Sequence, residues 1–340
     1  MSSHQCQFGV RDLARIVLLP LLPVVFIALA MHGGQTLGWF PARWPILDMD
    51  RAVLTYQAEV ARMPNSAEVL LLGDSSCLTG LSVPDLEKNL GLKALSLATL
   101  SYVDLQAHGM MLSRWIEANP GKLRTVILLM HPEALRREEP SAFHQRFLEG
   151  LLTSQPLPKP EGFRGRWERM MGLDVFRDRI LARILPFPLP SQYGPRYGFT
   201  VDLCRRLWEG QGSLADPNLY DRDSASGNAE YRLAKVLERA SAGFRAQAPA
   251  QVRWVIGLTP SPASFVQPDH PARHRALLTT WAQWLKADVT LTNLPAILPD
   301  VLFASTTHLN ATGRDLFTRL LARELGAHSD ESASHPRQGL

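Results

Sequence analysis

The chain reads as an α/β protein: a central parallel sheet of about five strands flanked by helices. Three observations predict it. Short apolar runs of strand length alternate with amphipathic segments of helix length, as they do in parallel sheets joined by crossover helices. Capping residues stand where those helices begin. Chemically capable side chains fall directly after the apolar runs, where the strand ends of an open sheet form a crevice.

The first segment is apolar. Arg11 and Arg15 precede an uncharged run from Ile16 to Met31, followed by His32-Gly33-Gly34. The run is somewhat shorter than the ~20 residues a spanning helix needs, but residues 33–40 extend it. Positive charge ahead of the run predicts a single-pass anchor with the N-terminus in the cytoplasm. Ala28-Leu29-Ala30 offers the alternative of a cleavage site near Ala30 and a secreted product. The length of the run favours the uncleaved anchor, so residues 1–40 are assigned to a cytoplasmic stub and membrane anchor.

Residues 41–64 read as a connector and a helix, with Val53, Tyr56 and Val60 at helical spacing. Strands follow over 68–72, 93–97 and 125–130. Between the first two, Ser82 and Asp85 have capping-box spacing for a helix that stops at Gly91. Between the next two, Ser101 and Asp104 repeat that spacing, and Asn119-Pro120-Gly121 ends the helix. The alternation resumes with a strand over 252–258, a helix over 273–285, a strand over 288–292 and a last helix over 311–325, N-capped by Asn310. The α/β domain is therefore assigned to 41–134 and 246–327, and the polar tail 328–340 is read as disordered.

The insertion between the third and fourth strands, 135–245, is rich in proline and arginine. Prolines at 156, 158 and 160 and at 186, 188 and 190 flank an amphipathic segment over 163–185. It reads as a helical cap. The other reading is a membrane-docking surface with Trp167, Phe176, Ile180 and Ile184 inward, although interspersed acids weaken a lipid face.

Composition narrows the function. Hydrophobic content of 46% and charged content of 20% describe a packed core rather than disorder. The net charge of +4 comes from arginines scattered among acids, which excludes a nucleic-acid partner. There is no glycine-rich phosphate loop and no metal-ligand spacing, so no cofactor is expected. Three cysteines, Cys6, Cys77 and Cys204, make no disulfide framework. Cys77 and Cys204 read as small buried hydrophobes, with a bridge between them the alternative.

The chemistry rests on Ser75, in Leu71-Leu72-Gly73-Asp74-Ser75-Ser76, and His308, in Ser305-Thr306-Thr307-His308-Leu309-Asn310. A serine on a strand-end turn is a weak nucleophile until a histidine takes its proton. Ser76 and Cys77 are rival nucleophiles. Asp74 reads as a shaper of the turn, and Thr259, in Thr259-Pro260-Ser261-Pro262, as a shaper of the pocket rim.

Gly73-Asp74-Ser75 after an apolar strand, with a late His308-Leu309-Asn310 and Gly313 close behind, resembles the GDSL/SGNH hydrolase family. The chain is most similar to membrane-anchored bacterial members that acylate exopolysaccharide and cell wall. The resemblance covers roughly 65–135 and 250–326. It implies a flavodoxin-like three-layer α/β/α fold and a periplasmic domain held at the bacterial inner membrane. It also implies acyl transfer, as O-acetyltransferase or acetylesterase, to a glycan hydroxyl or to water. A membrane-bound O-acyltransferase would be the donor partner.

Two blocks depart from the family pattern. Its usual aspartate, three residues before the histidine, is Ser305 here; Ser305 or Asp300 is then the candidate to orient the imidazole. For the oxyanion, the resemblance implies the backbone N–H of Ser75, a backbone N–H from Ala98 or Thr99, and a donor after the third strand. That last block reads His131-Pro132-Glu133, so His131 could donate from its ring or Glu133 orient a neighbour. These departures keep open a second expectation, a binding or scaffold subunit that retains the sheet without the chemistry.

Overall fold

A computed structural model of the chain describes residues 9–36, 49–100, 103–153, 206–215 and 232–334. The chain divides into two compact units, Met1–Met49 with Lys159–Asp202, and Asp50–Pro158 with Leu203–Leu340. In the first unit the described element is α1 (Val10–Thr36), a single 27-residue helix that carries Pro20 and Pro23. Leu18, Leu22, Phe26 and Leu29 on it are exposed. Among the described residues no helix is long and apolar enough to cross a membrane. The expected anchor therefore has a continuous helical backbone here and no support as a span. The amphipathic segment expected over 163–185 lies outside the described residues.

The second unit contains the sheet. Its strands are β1 (Val69–Gly73), β2 (Ala94–Ser96), β3 (Thr125–Met130), β4 (Arg253–Leu258) and β6 (Val289–Thr290). They are all parallel, in the order β2-β1-β3-β4-β6. A two-residue pairing, β5 (Ser261–Pro262) with β7 (Ile297–Leu298), continues beyond β4. The expected five-stranded parallel sheet is present. The fifth strand is shorter than its sequence suggested, because only Val289 and Thr290 stay in register with β4. Every residue of β1 is buried, as a central strand covered on both faces requires.

The helices of this unit are α2 (Met49–Val60), α3 (Ser75–Gly80), α4 (Val83–Leu90), α5 (Leu105–Ala118), α6 (Pro132–Leu135), α7 (Ala142–Thr153), α8 (Lys235–Arg245), α9 (His270–Trp284) and α10 (Ala311–Ser334). The cap expected for α4 is present: Ser82 Oγ accepts from Asp85 N–H, and Gly91 closes the helix in the left-handed region. For α5 the cap is Asp104, whose carboxylate accepts from Ala107 N–H at 3.0 Å, not Ser101. α4 packs with α10, and α5 packs with α7 and α8, which is compatible with helix layers on both faces of the sheet. Trp115, Trp254 and Trp281 are fully buried in that packing.

Two boundaries differ from the sequence reading. The last helix runs to Ser334, not Leu325. No proline follows until Pro336, and a glycine such as Gly326 costs a helix only about 1 kcal/mol. The expected disordered tail is thus helical as far as Ser334. The insertion is not wholly separate either. Within its described residues 206–215, Gln211 and Gly212 meet β2, where Ser96 N–H donates to Gln211 O at 2.9 Å. That bond satisfies one outward N–H of β2, the end strand of the sheet, where open backbone groups invite pairing with another chain. Gly212, at φ +84, sits where a Cβ would lie 2.0 Å from Ser96 O. Gln57 Nε2 in α2 ties the same place together, donating to Ala98 O at 2.8 Å and Gly212 O at 2.9 Å.

Strand order fixes where function sits. The chain leaves β1 toward β2 on one side and returns to β3 on the other. It so opens a crevice beyond the C-terminal ends of β1 and β3. Gly73 shapes it: at φ +156, a Cβ there would meet Leu129 O at 1.9 Å and Cys77 Cβ at 2.7 Å. Replacing Gly73 by Ala is expected to cost roughly 3 kcal/mol by overpacking. A urea titration of Gly73→Ala against the parent protein checks this through the shift in midpoint.

Candidate active site

Ser75 is the first residue of α3, immediately after the Gly73-Asp74 turn. Asp74 caps that helix and is buried. Its Oδ1 accepts from Ser76 N–H at 3.0 Å and from Ser76 Oγ–H at 2.5 Å. Its Oδ2 accepts from His131 N–H at 3.1 Å, which ties the nucleophile turn to the end of β3. Burial pushes the Asp74 carboxyl above its ordinary range; bonds from Ser76, His131 and Cys77 pull it partly back. Asp74 is the turn-shaper the sequence suggested.

The rivals of Ser75 are sealed. Ser76 is buried, bonded to Asp74 and, at 2.8 Å, to Thr259 Oγ1. Cys77 is a free, buried thiol whose pKa is raised, first by burial and then by the charge of Asp74. A thiol held protonated in an apolar environment is a poor nucleophile. Thr259 was expected at the pocket rim. It lies behind the turn instead, buried, with its hydroxyl spent on Ser76.

His308 reaches Ser75. Its Nε2 lies 3.0 Å from Ser75 Oγ, within the range needed for proton transfer. The loop that carries it is tied to itself. Ala304 N–H and Ser305 N–H donate to His308 O at 2.8 and 3.2 Å, and Phe303 bridges Leu309. Asn310 caps α10 through Gly313 N–H at 3.0 Å, while its Nδ2 donates to Val301 O at 2.7 Å. α10 is fastened in turn to the chain following α3: Arg314 Nε donates to Leu81 O at 2.8 Å, and Ser82 N–H donates to Thr318 Oγ1 at 2.9 Å. His308 and Ser75 therefore belong to elements locked to each other.

Ser305 does not take the acid's part. Its Oγ accepts from His308 N–H at 3.1 Å and from Thr307 N–H at 3.4 Å, so it shapes the loop rather than the imidazole. A three-residue spacing lets a serine hydroxyl fold back on the backbone, a local bond that short polar side chains favour. Asp300 Oδ1 accepts from Ser264 N–H at 2.9 Å.

The oxyanion donors also differ from expectation. Ala98 N–H donates to Ser96 Oγ at 3.2 Å and Thr99 N–H to Gly73 O at 2.9 Å, so both are already committed. His131 is buried and its ring is fully used. Its Nδ1 accepts from Glu133 N–H at 3.2 Å. The neutral ring therefore carries its proton on Nε2, which donates to Ser261 Oγ at 3.2 Å. Burial, reinforced by His274, His308 and His270, lowers the His131 pKa to about 3. Glu133 pairs with Arg136 at 2.9 Å. Ser75 N–H remains, at the first position of α3, where no described hydrogen bond occupies it.

Ser75 opens into a cavity of about 320 Å³. Its lining includes Thr307, Glu133, Arg136, Arg137 and Arg232. The arginines were not singled out by the sequence reading. Arg136-Arg137 follows the third strand block directly, where a functional loop was expected, but Arg232 belongs to no motif. Among the described residues no group of histidine, cysteine and carboxylate side chains is arranged to hold a metal ion.

Because its described bonds go to the backbone, Ser305→Ala is expected to cost about 1 kcal/mol of stability. It should lower turnover less than tenfold, against the roughly 10⁴ lost when a true triad acid is removed. Paired denaturation and esterase assays on that variant check this. Burial also keeps three histidines neutral: His131 at about 3, His108 and His274 at about 4. Their folded pKa values lie below the unfolded value of 6.5, so the unfolded chain binds more protons between those limits. Stability held above pH 6.5 is then lost as pH falls toward 4. The slope approaches about one and a half kcal/mol per pH unit for each histidine. Asp74, raised above its unfolded value, works in the opposite sense over the acid end. Urea midpoints measured across that window, with His108→Phe flattening the slope, check the prediction.

No family model, no curated protein and no solved structure matches this chain.

Proposed function

We propose that the chain is a serine acyl-transfer enzyme of SGNH type, with Ser75 as nucleophile and His308 as base. The 3.0 Å contact between His308 Nε2 and Ser75 Oγ carries the reading, since it joins two residues far apart in sequence at the C-terminal crevice of a parallel sheet. The strand order β2-β1-β3-β4-β6 supports a flavodoxin-like arrangement for the whole domain.

In the reaction, His308 Nε2 takes the proton of Ser75 Oγ as the oxygen attacks an acyl carbonyl. The tetrahedral oxyanion is met by Ser75 N–H. Collapse expels the donor's alkoxide, which takes the proton from His308, and leaves an acyl ester on Ser75. A glycan hydroxyl or water then attacks that ester and gives its proton to His308; the Ser75 Oγ–acyl bond breaks, the acyl group leaves on the acceptor, and His308 returns the proton to Ser75 Oγ. We take the acceptor to be a cell-envelope glycan and the acyl group to be short, most simply acetyl. We take the α/β domain to be periplasmic and held at a bacterial inner membrane, with a membrane-bound O-acyltransferase as donor partner.

One observation favours a second reading. Ser305 serves the backbone, and Ala98 and Thr99 have spent their N–H groups, so a binding or scaffold subunit that keeps the sheet without the chemistry also fits. A fluorophosphonate probe separates the two. The enzyme reading expects labelling of the full chain that vanishes in Ser75→Ala and slows about 10³-fold in His308→Ala. Well-folded protein that takes no label overturns it.

A further inference from the structure

Thr307 lines the cavity into which Ser75 opens, and it immediately precedes His308 in the chain. Its N–H donates to Ser305 Oγ at 3.4 Å, and His308 N–H donates to the same oxygen at 3.1 Å, so one turn holds both residues. Among the described residues nothing bonds the Thr307 hydroxyl. Other neutral groups of the lining are spent. Glu133 N–H donates to His131 Nδ1 at 3.2 Å, Ala134 N–H donates to His131 O at 2.9 Å, and the far nitrogen of the His131 ring is taken by Ser261. The Thr307 hydroxyl stands out beside Ser75 as a group that can both donate and accept.

Its place in the chain decides which reacting atom it serves. The two sides of Ser75 Oγ differ. On one side Ser75 N–H, at the head of α3, is the donor for the oxyanion. On the other, His308 Nε2 lies 3.0 Å from Oγ, where the leaving or entering oxygen exchanges its proton. Thr307 is joined to His308 by one peptide bond, which spans about 3.8 Å between Cα atoms, so it belongs to the imidazole side. Its β-branched side chain has few rotamers, and a hydrogen bond to a ligand freezes little freedom. Water attacking the acyl ester offers a single oxygen, which His308 engages. A diol offers two: one attacks while its neighbour reaches Thr307.

We infer that Thr307 binds the acceptor through the hydroxyl adjacent to the attacking one, and so favours a vicinal diol, as on a sugar ring, over water. The inference rests on the acyl-transfer reading and names the acceptor class for that site. The attacking hydroxyl gives its proton to His308 Nε2 as its oxygen bonds the acyl carbon. The Ser75 Oγ–acyl bond breaks, and His308 returns the proton to Ser75 Oγ. Thr307 stays neutral throughout and holds the second hydroxyl.

The test is the partitioning of the acyl-enzyme. The full chain is acetylated with p-nitrophenyl acetate in the presence of ethylene glycol or n-propanol, which differ in the second hydroxyl. Acetate ester and free acetate are then measured separately. The parent chain is expected to transfer to ethylene glycol about fivefold or more in excess of n-propanol at equal concentration, the worth of one neutral hydrogen bond. Thr307→Val keeps the branched shape and removes the hydroxyl; it should lower the ratio of glycol ester to free acetate by about the same factor. Thr307→Ser restores the hydroxyl and should restore most of that ratio. Equal transfer to the two alcohols by the parent overturns the inference. So does a Thr307→Val chain in which transfer and hydrolysis fall together with their ratio kept, the mark of a residue that only shapes the loop. A parent chain that releases p-nitrophenol no faster than Ser75→Ala overturns the acyl-transfer reading itself, and the acceptor role with it.

Discussion

A buried carboxylate holds the functional edge of this sheet together. Asp74 leaves β1 through a backbone geometry that needs glycine before it, and its oxygens then gather donors from two strand ends: Ser76 from its own turn and His131 from the end of β3. A carboxylate buried without such donors would be expensive; with them it becomes a fixed point. Everything that makes Ser75 singular follows. Ser76 is pulled down between Asp74 and Thr259, Cys77 is buried behind it, and Ser75 alone among the three faces the cavity.

His308 is fixed by a separate set of bonds. His308 rides a loop closed on itself, and the helix after that loop is bonded to the segment following α3 through Arg314 and Thr318. Ser75 and His308, held through different elements, keep a 3.0 Å contact only if those elements do not slide, and these bonds oppose sliding. The chain after β2 is held as firmly: Gln57 donates to the carbonyls of Ala98 and Gly212, and the N–H groups of Ala98 and Thr99 are committed to Ser96 Oγ and Gly73 O.

The sheet was legible because its strands are written as apolar runs. The third strand matches its expected span, and the fifth is shorter because the ladder with β4 ends at Thr290. Ser75 and His308 were legible through local pattern, strand then turn for one and loop then capped helix for the other. What failed was direction. Sequence places Ser305 three residues before His308 but cannot say that its hydroxyl bends onto the backbone N–H rather than the ring. It places His131 at a strand end without revealing that both ring nitrogens are already spent. Arg232 had no local signal at all, because its place on the cavity wall depends on a backbone bond between distant segments.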